Sequence, residues 1–294
     1  VYDTLSVLLE AGDEVLVPDP VWMNYDNIPR IFDAVPVPYA LKEEADFQPD
    51  MAELEDKVTD RTKVMILVSP GNPTGSVLNR KSLEKIAAFA KKHDLIVVTD
   101  EIYERIIFDD KKYKSIASVP GMKERTITLN GFSKTYSMTG WRLGYLAGPK
   151  ELVEEIAKVH QVVTTCAASF VQEAGVTALR EEKSEVSEMV WDYEMRRDYL
   201  VDAVNAISGI SCKKPEGAFY LWVNIRQLGI TDEGFAERLL REAHVAVVPG
   251  SVFGNQGKGY IRISYASSLA QLKEAVKRIN DFITGEKRLQ NERE

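Results

Sequence analysis

The chain has 294 residues, 45% of them apolar, enough to bury a sizeable core in one large domain or two ordinary ones. Its 37 Lys and Arg against 45 Asp and Glu give a net charge of −8, with the two signs mixed along the chain rather than blocked. That pattern argues against a dedicated nucleic-acid or polyanion surface, and no run approaches the roughly 20 apolar residues of a membrane-spanning helix.

Two cysteines, Cys166 and Cys212, and three histidines, His93, His160 and His244, are scattered through the chain. Neither a disulfide framework nor a metal site is expected from such spacing, and a reducing, cytoplasmic setting is the default. The first residue is not Met, and no signal peptide opens the sequence. Tyr2 to Glu10 reads as an amphipathic helix already under way, stopped by Gly12. The expectation is a sequence that begins inside a domain.

Short apolar runs then alternate with helical patterns. Glu14–Pro18, Val64–Val68, Leu95–Thr99, Thr126–Leu129 and Gly144–Ala147 read as buried strands, and Lys81–Lys92 as an intervening helix. Buried strands alternating with helices predict an α/β domain with a mostly parallel sheet. Ligands of such sheets sit beyond the C-terminal strand ends. Glu151–Ile207 carries helical patterns, with one long helix expected over Glu181–Ala206. After it, Gly217–Val223 and Tyr260–Tyr265 read as aromatic-rich strands, flanked by helices at Asp232–Glu242 and Leu269–Phe282. The change to an α+β pattern predicts two domains, 1–185 and a smaller 186–294, divided within the long helix. The charged tail Gly285–Glu294 is expected to fray.

Four segments beside these strands carry unusual polar residues. Ser69-Pro70-Gly71-Asn72-Pro73-Thr74-Gly75 is a rigid turn that presents the Asn72 amide at a strand end. In Thr99-Asp100-Glu101-Ile102-Tyr103, the Asp100 carboxylate is either a local cap or an anion facing a ligand cation. Gly131-Phe132-Ser133-Lys134 through Arg142-Leu143-Gly144 surrounds one lysine with small residues that permit close approach of a bulky ligand. A lysine desolvated there has a lowered pKa and a nucleophilic amine. Arg262, alternating with Ile261 and Ile263, is either a surface residue or a fork for a carboxylate, and on its own reads as a surface edge.

Together these segments resemble the fold-type I aminotransferases of the aspartate aminotransferase family (class I/II). The stretch from Gly131 to Gly144 fits that family's lysine-site pattern at Gly131, Ser133, Lys134, Ser137, Met138, Gly140, Arg142, Leu143 and Gly144. Pro70 to Gly75, Asp100 to Tyr103, and Pro20-Val21-Trp22-Met23-Asn24-Tyr25 occur in the expected order, and the likeness extends from Val1 to about Ile283.

The resemblance implies a three-layer large domain for pyridoxal 5'-phosphate (PLP), N-terminally incomplete, plus the small C-terminal domain. It implies that Lys134 binds the PLP aldehyde covalently and then acts as the catalytic base and acid. Asp100 would pair with the pyridine nitrogen, Tyr103 and Asn72 would bond the ring hydroxylate, and Trp22 would stack on the ring. Arg142 and Ser133 would hold the phosphate. Arg262, with Asn72 beside it, would clamp the substrate α-carboxylate. The implied reaction moves an amino group from an α-amino acid to a 2-oxo acid. β-Elimination or a synthase reaction on the same scaffold, and a non-catalytic PLP-binding regulator, are the alternatives.

The family's N-terminal segment, which supplies a phosphate-binding glycine turn, a closing arm and a tyrosine for the neighbouring subunit, has no counterpart here. The chain alone is therefore expected to bind PLP weakly or to lack turnover. A homodimer is implied, with Val162–Val171 as the stretch facing the partner, and no nucleic acid or membrane partner is expected. His160 to Thr165 contains no arginine to bind a distal carboxylate. The glycine-rich stretch Gly250–Gly259 does not fit a nucleotide loop. The resemblance makes it the loop at the active-site edge leading to Arg262, with turn formation as its first expected role.

Overall fold

In the computed structural model, residues 1–181 and 184–291 are described. Along the first half run α1 (Tyr2–Leu8), β1 (Glu14–Asp19), α2 (Asn24–Ile31), β2 (Val35–Ala40), α3 (Met51–Lys57), β3 (Thr62–Val68), α4 (Arg80–Lys92), β4 (Ile96–Asp100), β5 (Thr126–Gly131) and β6 (Gly144–Ala147). The six strands form one sheet in the order β2-β1-β3-β4-β5-β6, parallel except for the antiparallel β5–β6 pair.

The central strands are buried on both faces because alternate side chains enter two different cores. Leu16, Met65, Leu67 and Val97 pack with Leu54, Leu83, Ile86 and Phe89 of α3 and α4. Val15, Val17, Val64, Ile66, Val98 and Ile127 point the other way, onto Leu5 of α1, Tyr25 of α2 and Ile156. Helix, sheet and helix are the three layers expected. Helix α4 shows how local sequence fixes one of them. Asn79 caps it by accepting from the Ser82 N–H at 2.9 Å, Leu83, Ile86, Ala87 and Ala90 make its buried stripe, and Lys91 and Lys92 end it.

The second half comprises α5 (Lys150–Val163), α6 (Ser169–Arg180), α7 (Ser184–Asn205), β7 (Ser211–Cys212), β8 (Tyr220–Asn224), α8 (Asp232–Ala243), β9 (Val248–Pro249), β10 (Tyr260–Ser264) and α9 (Leu269–Asn291). A second sheet, β7-β8-β10-β9, is antiparallel throughout. Leu200 and Val204 of α7, Phe235 and Leu239 of α8, and Leu272, Ile279 and Ile283 of α9 pack with it in one core. That core also takes in Tyr103, Ile106 and Phe108 from the first half.

The structure departs from the sequence reading at several elements. The strand Val35–Ala40 was not predicted, because two prolines interrupt its pattern; they are tolerated since β2 is an edge strand and needs ladder bonds on one side only. Gly144–Ala147 is a strand but not a buried one, because it closes the opposite edge and leaves Tyr145 exposed. The strand expected from Gly217 starts at Tyr220, and Gly217 instead makes a single bridge to Ile107. Helix α9 continues to Asn291, through most of the tail expected to fray, while 292–294 lie outside the described residues. The long helix expected from Glu181 is described from Ser184.

Candidate active site

The C-terminal ends of neighbouring parallel strands place four loops side by side. Trp22 lies just past β1, Asn72 just past β3, Asp100 ends β4, and Ser133 and Lys134 follow β5. With Tyr103, Arg142 and Arg262 they line a single cavity of about 1070 Å³. Every site residue expected from the sequence therefore borders the same space.

Asp100 sits at the inner side of this cavity. Its Oδ1 accepts the Ile102 N–H at 3.0 Å, the bond expected of a local cap. Its Oδ2 accepts the Tyr25 hydroxyl at 2.6 Å, a contact that a local cap does not need. Loss of water raises the Asp100 pKa, and these two hydrogen bonds oppose the shift. A carboxylate so held has two neutral donors and no ion pair among the described residues. Its chemistry fits a cationic N–H placed opposite it.

The Lys134 amine faces the rings of Tyr103 at 6.0 Å and Phe219 at 5.6 Å. Desolvation lowers its pKa first, the positive charges of Arg262 and Arg142 lower it further, and Asp100 pulls the other way. The result is an amine more readily neutral, and so more nucleophilic, than a surface lysine.

Arg262 corrects the reading of a surface edge. On β10 it alternates with the buried Ile261 and Ile263, but its outward face is the cavity and not solvent. Its guanidinium lies 4.3 Å from the Tyr220 ring centroid and 4.9 Å from that of Phe253, and donates to Asn72 Oδ1 at 2.7 Å. Its Nε is buried without a hydrogen-bond partner, while the side chain as a whole borders the cavity. Burial lowers its pKa from the ordinary arginine value.

Arg142, in the turn just before β6, adopts a left-handed backbone (φ 55) and donates to the Thr139 carbonyl at 2.9 Å. It is exposed, at the cavity mouth. Trp22 is also partly exposed and meets Tyr25 edge-on at 5.9 Å. Tyr103 is buried, and its hydroxyl is 2.7 Å from that of Tyr220.

Tyr25, Tyr220, Phe219 and Phe253 were not predicted as site residues. Tyr25 was visible in the segment containing Trp22, but its buried contact 75 positions downstream has no sequence signal. The glycine-rich stretch is the expected edge loop: it forms turns at Gly250–Phe253 and Asn255–Gly257, and Val252 and Phe253 line the cavity. Asp19 holds it by accepting the Asn255 and Gln256 N–H groups, each at 3.0 Å.

An amine, a partly buried carboxylate and a guanidinium border one space, and comparison with known proteins gives the family. Residues 2–279 match the family Aminotransferase class I and II. An aspartate aminotransferase of Pyrococcus abyssi is 47% identical over 285 residues, covering 96% of this chain and 73% of the relative. Aromatic-amino-acid aminotransferase 2 of Thermococcus litoralis is 44% identical, with 96% and 73% covered. The crystal structure of an aromatic aminotransferase from Pyrococcus horikoshii superimposes with a TM-score of 0.95 at 45% identity, covering 97% of this chain and 77% of that one. The chain belongs to the class I and II aminotransferases, enzymes that transfer amino groups.

Proposed function

We propose that the protein transfers the amino group of an α-amino acid to a 2-oxo acid with PLP as cofactor, held by the residues around the cavity. The observation that carries this reading is the pairing of a desolvated amine, Lys134, with a partly buried carboxylate, Asp100, on one cavity.

When bound, PLP supplies an aldehyde for amines and a ring that takes up electrons from the substrate α-carbon. Lys134 would hold the aldehyde, and its free amine would move a proton at the substrate α-carbon. Asp100 would keep the ring nitrogen protonated by facing it with a negative charge. Tyr103 and Asn72 would donate to the ring hydroxylate. Trp22 would cover the ring face, and Ser133 with Arg142 would bind the phosphate. Arg262 would take the substrate α-carboxylate, supported by its place on the cavity wall. Asn72, already bonded to Arg262, would align both ligands.

We further assign a large lobe over 1–185 and a small lobe over 186–294. Support comes from the packing of α7, which begins at Ser184 and buries Leu200 and Val204 against the second sheet. A homodimer is part of the proposal, supported by exposed Val162, Val163 and Phe170 in the stretch expected to face a partner. No described helix is long and apolar enough to cross a membrane. A cytoplasmic setting is supported by two free cysteines, one exposed and one buried.

Titration of the purified protein with PLP, followed by absorbance, and an amino-donor panel with 2-oxoglutarate test the reading. The expected result is a lysine-bound PLP band, absent in Lys134→Ala, and formation of 2-oxo acid in excess over the enzyme only when an acceptor is present. Ammonia release without acceptor would replace transfer by elimination.

A further inference from the structure

Tyr220 opens β8, and β8 pairs antiparallel with β10 so that Ser264 lies opposite Tyr220 and Arg262 opposite Trp222. Arg262 is thus the diagonal neighbour of Tyr220 on the same sheet face, within reach of a large ring. The contact is made: the guanidinium carbon lies 4.3 Å from the Tyr220 ring centroid. At its other end the same side chain reaches out of the small lobe. Its hydroxyl is 2.7 Å from that of Tyr103, on the loop after β4, and the two rings meet edge-to-face at 5.7 Å. Both tyrosines are buried, so neither hydroxyl exchanges this partner freely for water.

We propose that Tyr220 is a positioning residue with two separable parts: its hydroxyl orients the Tyr103 phenol, and its ring face seats the Arg262 guanidinium. This rests on the cofactor reading given above. A phenol has one proton. If Tyr103 spends it on Tyr220, it offers only lone pairs to the cavity. If Tyr220 donates instead, the Tyr103 proton is free for an anionic oxygen there, and each bond in the chain strengthens the next. An anionic ring oxygen selects the second arrangement. Independently, the aromatic face holds the planar cation by cation–π attraction and fixes its fork toward an incoming carboxylate.

The two parts come apart in two variants. Tyr220→Phe keeps the ring and removes the hydroxyl. The PLP dissociation constant should rise about fivefold, the worth of one hydrogen bond, while the KM of the amino donor stays within about twofold because the stacked cation is retained. Tyr220→Leu should add a rise in KM of about tenfold. In the Tyr103→Phe background, Tyr220→Phe should leave PLP binding unchanged, because the hydroxyl it serves is gone. An equal loss of PLP affinity in both backgrounds would overturn the orienting role, and equal KM values for Tyr220→Phe and Tyr220→Leu would overturn the seating of Arg262. Wild-type protein that binds no PLP would overturn the cofactor reading and this assignment with it.

Discussion

The Tyr25 hydroxyl donates to Asp100 Oδ2 at 2.6 Å and ties the first turns of α2 to the end of β4. Tyr25 is buried, and the bond opposes the rise in Asp100 pKa that loss of water imposes. Tyr25 therefore helps to keep the carboxylate charged where a cationic ring nitrogen would need it.

Tyr25→Phe removes that donor, so the Asp100 pKa should rise further. PLP affinity should fall about tenfold, the cost of one hydrogen bond to a charged group. The acid limb of PLP binding should also move to higher pH, because the carboxyl now protonates earlier. Absorbance titrations of both proteins across pH measure this. Superimposable curves would show that Tyr25 does not hold the charge.

The lowered Lys134 pKa has burial as its largest cause and the Arg262 charge as its next. Removing that charge in Arg262→Gln should raise the Lys134 pKa, so its neutral form appears at higher pH. Lys134 can be followed by its pH-dependent coupling to PLP, trapped with borohydride and located by mass spectrometry. The midpoint should shift upward in Arg262→Gln, and no adduct at position 134 should form in Lys134→Ala. A midpoint that does not move would remove Arg262 from the cause.

Arg197 is wholly buried and donates to Asp109 at 2.8 and 2.9 Å, to Asp198 at 2.8 Å and to the Pro215 carbonyl at 3.2 Å. Its guanidinium lies 4.6 Å from the Phe108 ring. The arrangement fastens α7 to the segment around Asp109, across the two halves of the chain. Arg197→Leu should destabilise the protein by about 2–3 kcal/mol, at the low end for a broken buried pair because the carboxylates are partly exposed. The Arg197 hydrogen bond, ahead of all other causes, holds the Asp109 pKa down to about 2. A depressed carboxylate contributes its stability in full above the unfolded value of about 4. That contribution is lost as pH falls through about 2. Urea unfolding should therefore show the same cost of Arg197→Leu at neutral pH and at about pH 5, and a smaller one at about pH 3. A cost that stays level to pH 3 would mean that Asp109 is not the partner that matters.

Gly254 has φ +125, and a Cβ there would stand 2.2 Å from Asp19 Oδ1, the oxygen that receives the Gln256 N–H. Gly254→Ala should destabilise the loop by about 1–3 kcal/mol through the strained backbone alone. It should also raise the KM for the amino donor, since the loop carries Phe253 onto Arg262. Gly285→Ala, where the space is open and the residue lies in α9, should instead stabilise by about 0.5–1 kcal/mol. Thermal melts and steady-state kinetics on both variants give the comparison. Wild-type KM in Gly254→Ala would separate the loop from substrate binding.

The elements most legible in the sequence were those whose local pattern and environment agree. The apolar run Val64–Val68 reads as a buried strand, and β3 lies in the sheet interior. Lys81–Lys92 reads as an amphipathic helix, and α4 has its stripe on the core. Where position in the sheet overrules local pattern, the reading failed. Prolines hid β2, although an edge admits them, and the apolar composition of Gly144–Ala147 suggested burial that an edge does not provide.

The sequence by itself determined the chemistry-bearing residue types and their order along the chain, and with them the family. Loop segments that must present a lysine, a carboxylate or an amide at a strand end need particular neighbours, and those neighbours are contiguous. What only the tertiary structure decided is which distant groups meet. Arg262 reads as an edge residue until β8 and β10 pair and bring the Tyr220 ring to it, and Tyr25 is one more core aromatic until α2 packs beside β4. The reason is physical: the pKa and hydrogen bonding of a side chain depend on groups within a few ångströms of it, and folding brings such groups together from distant parts of the chain.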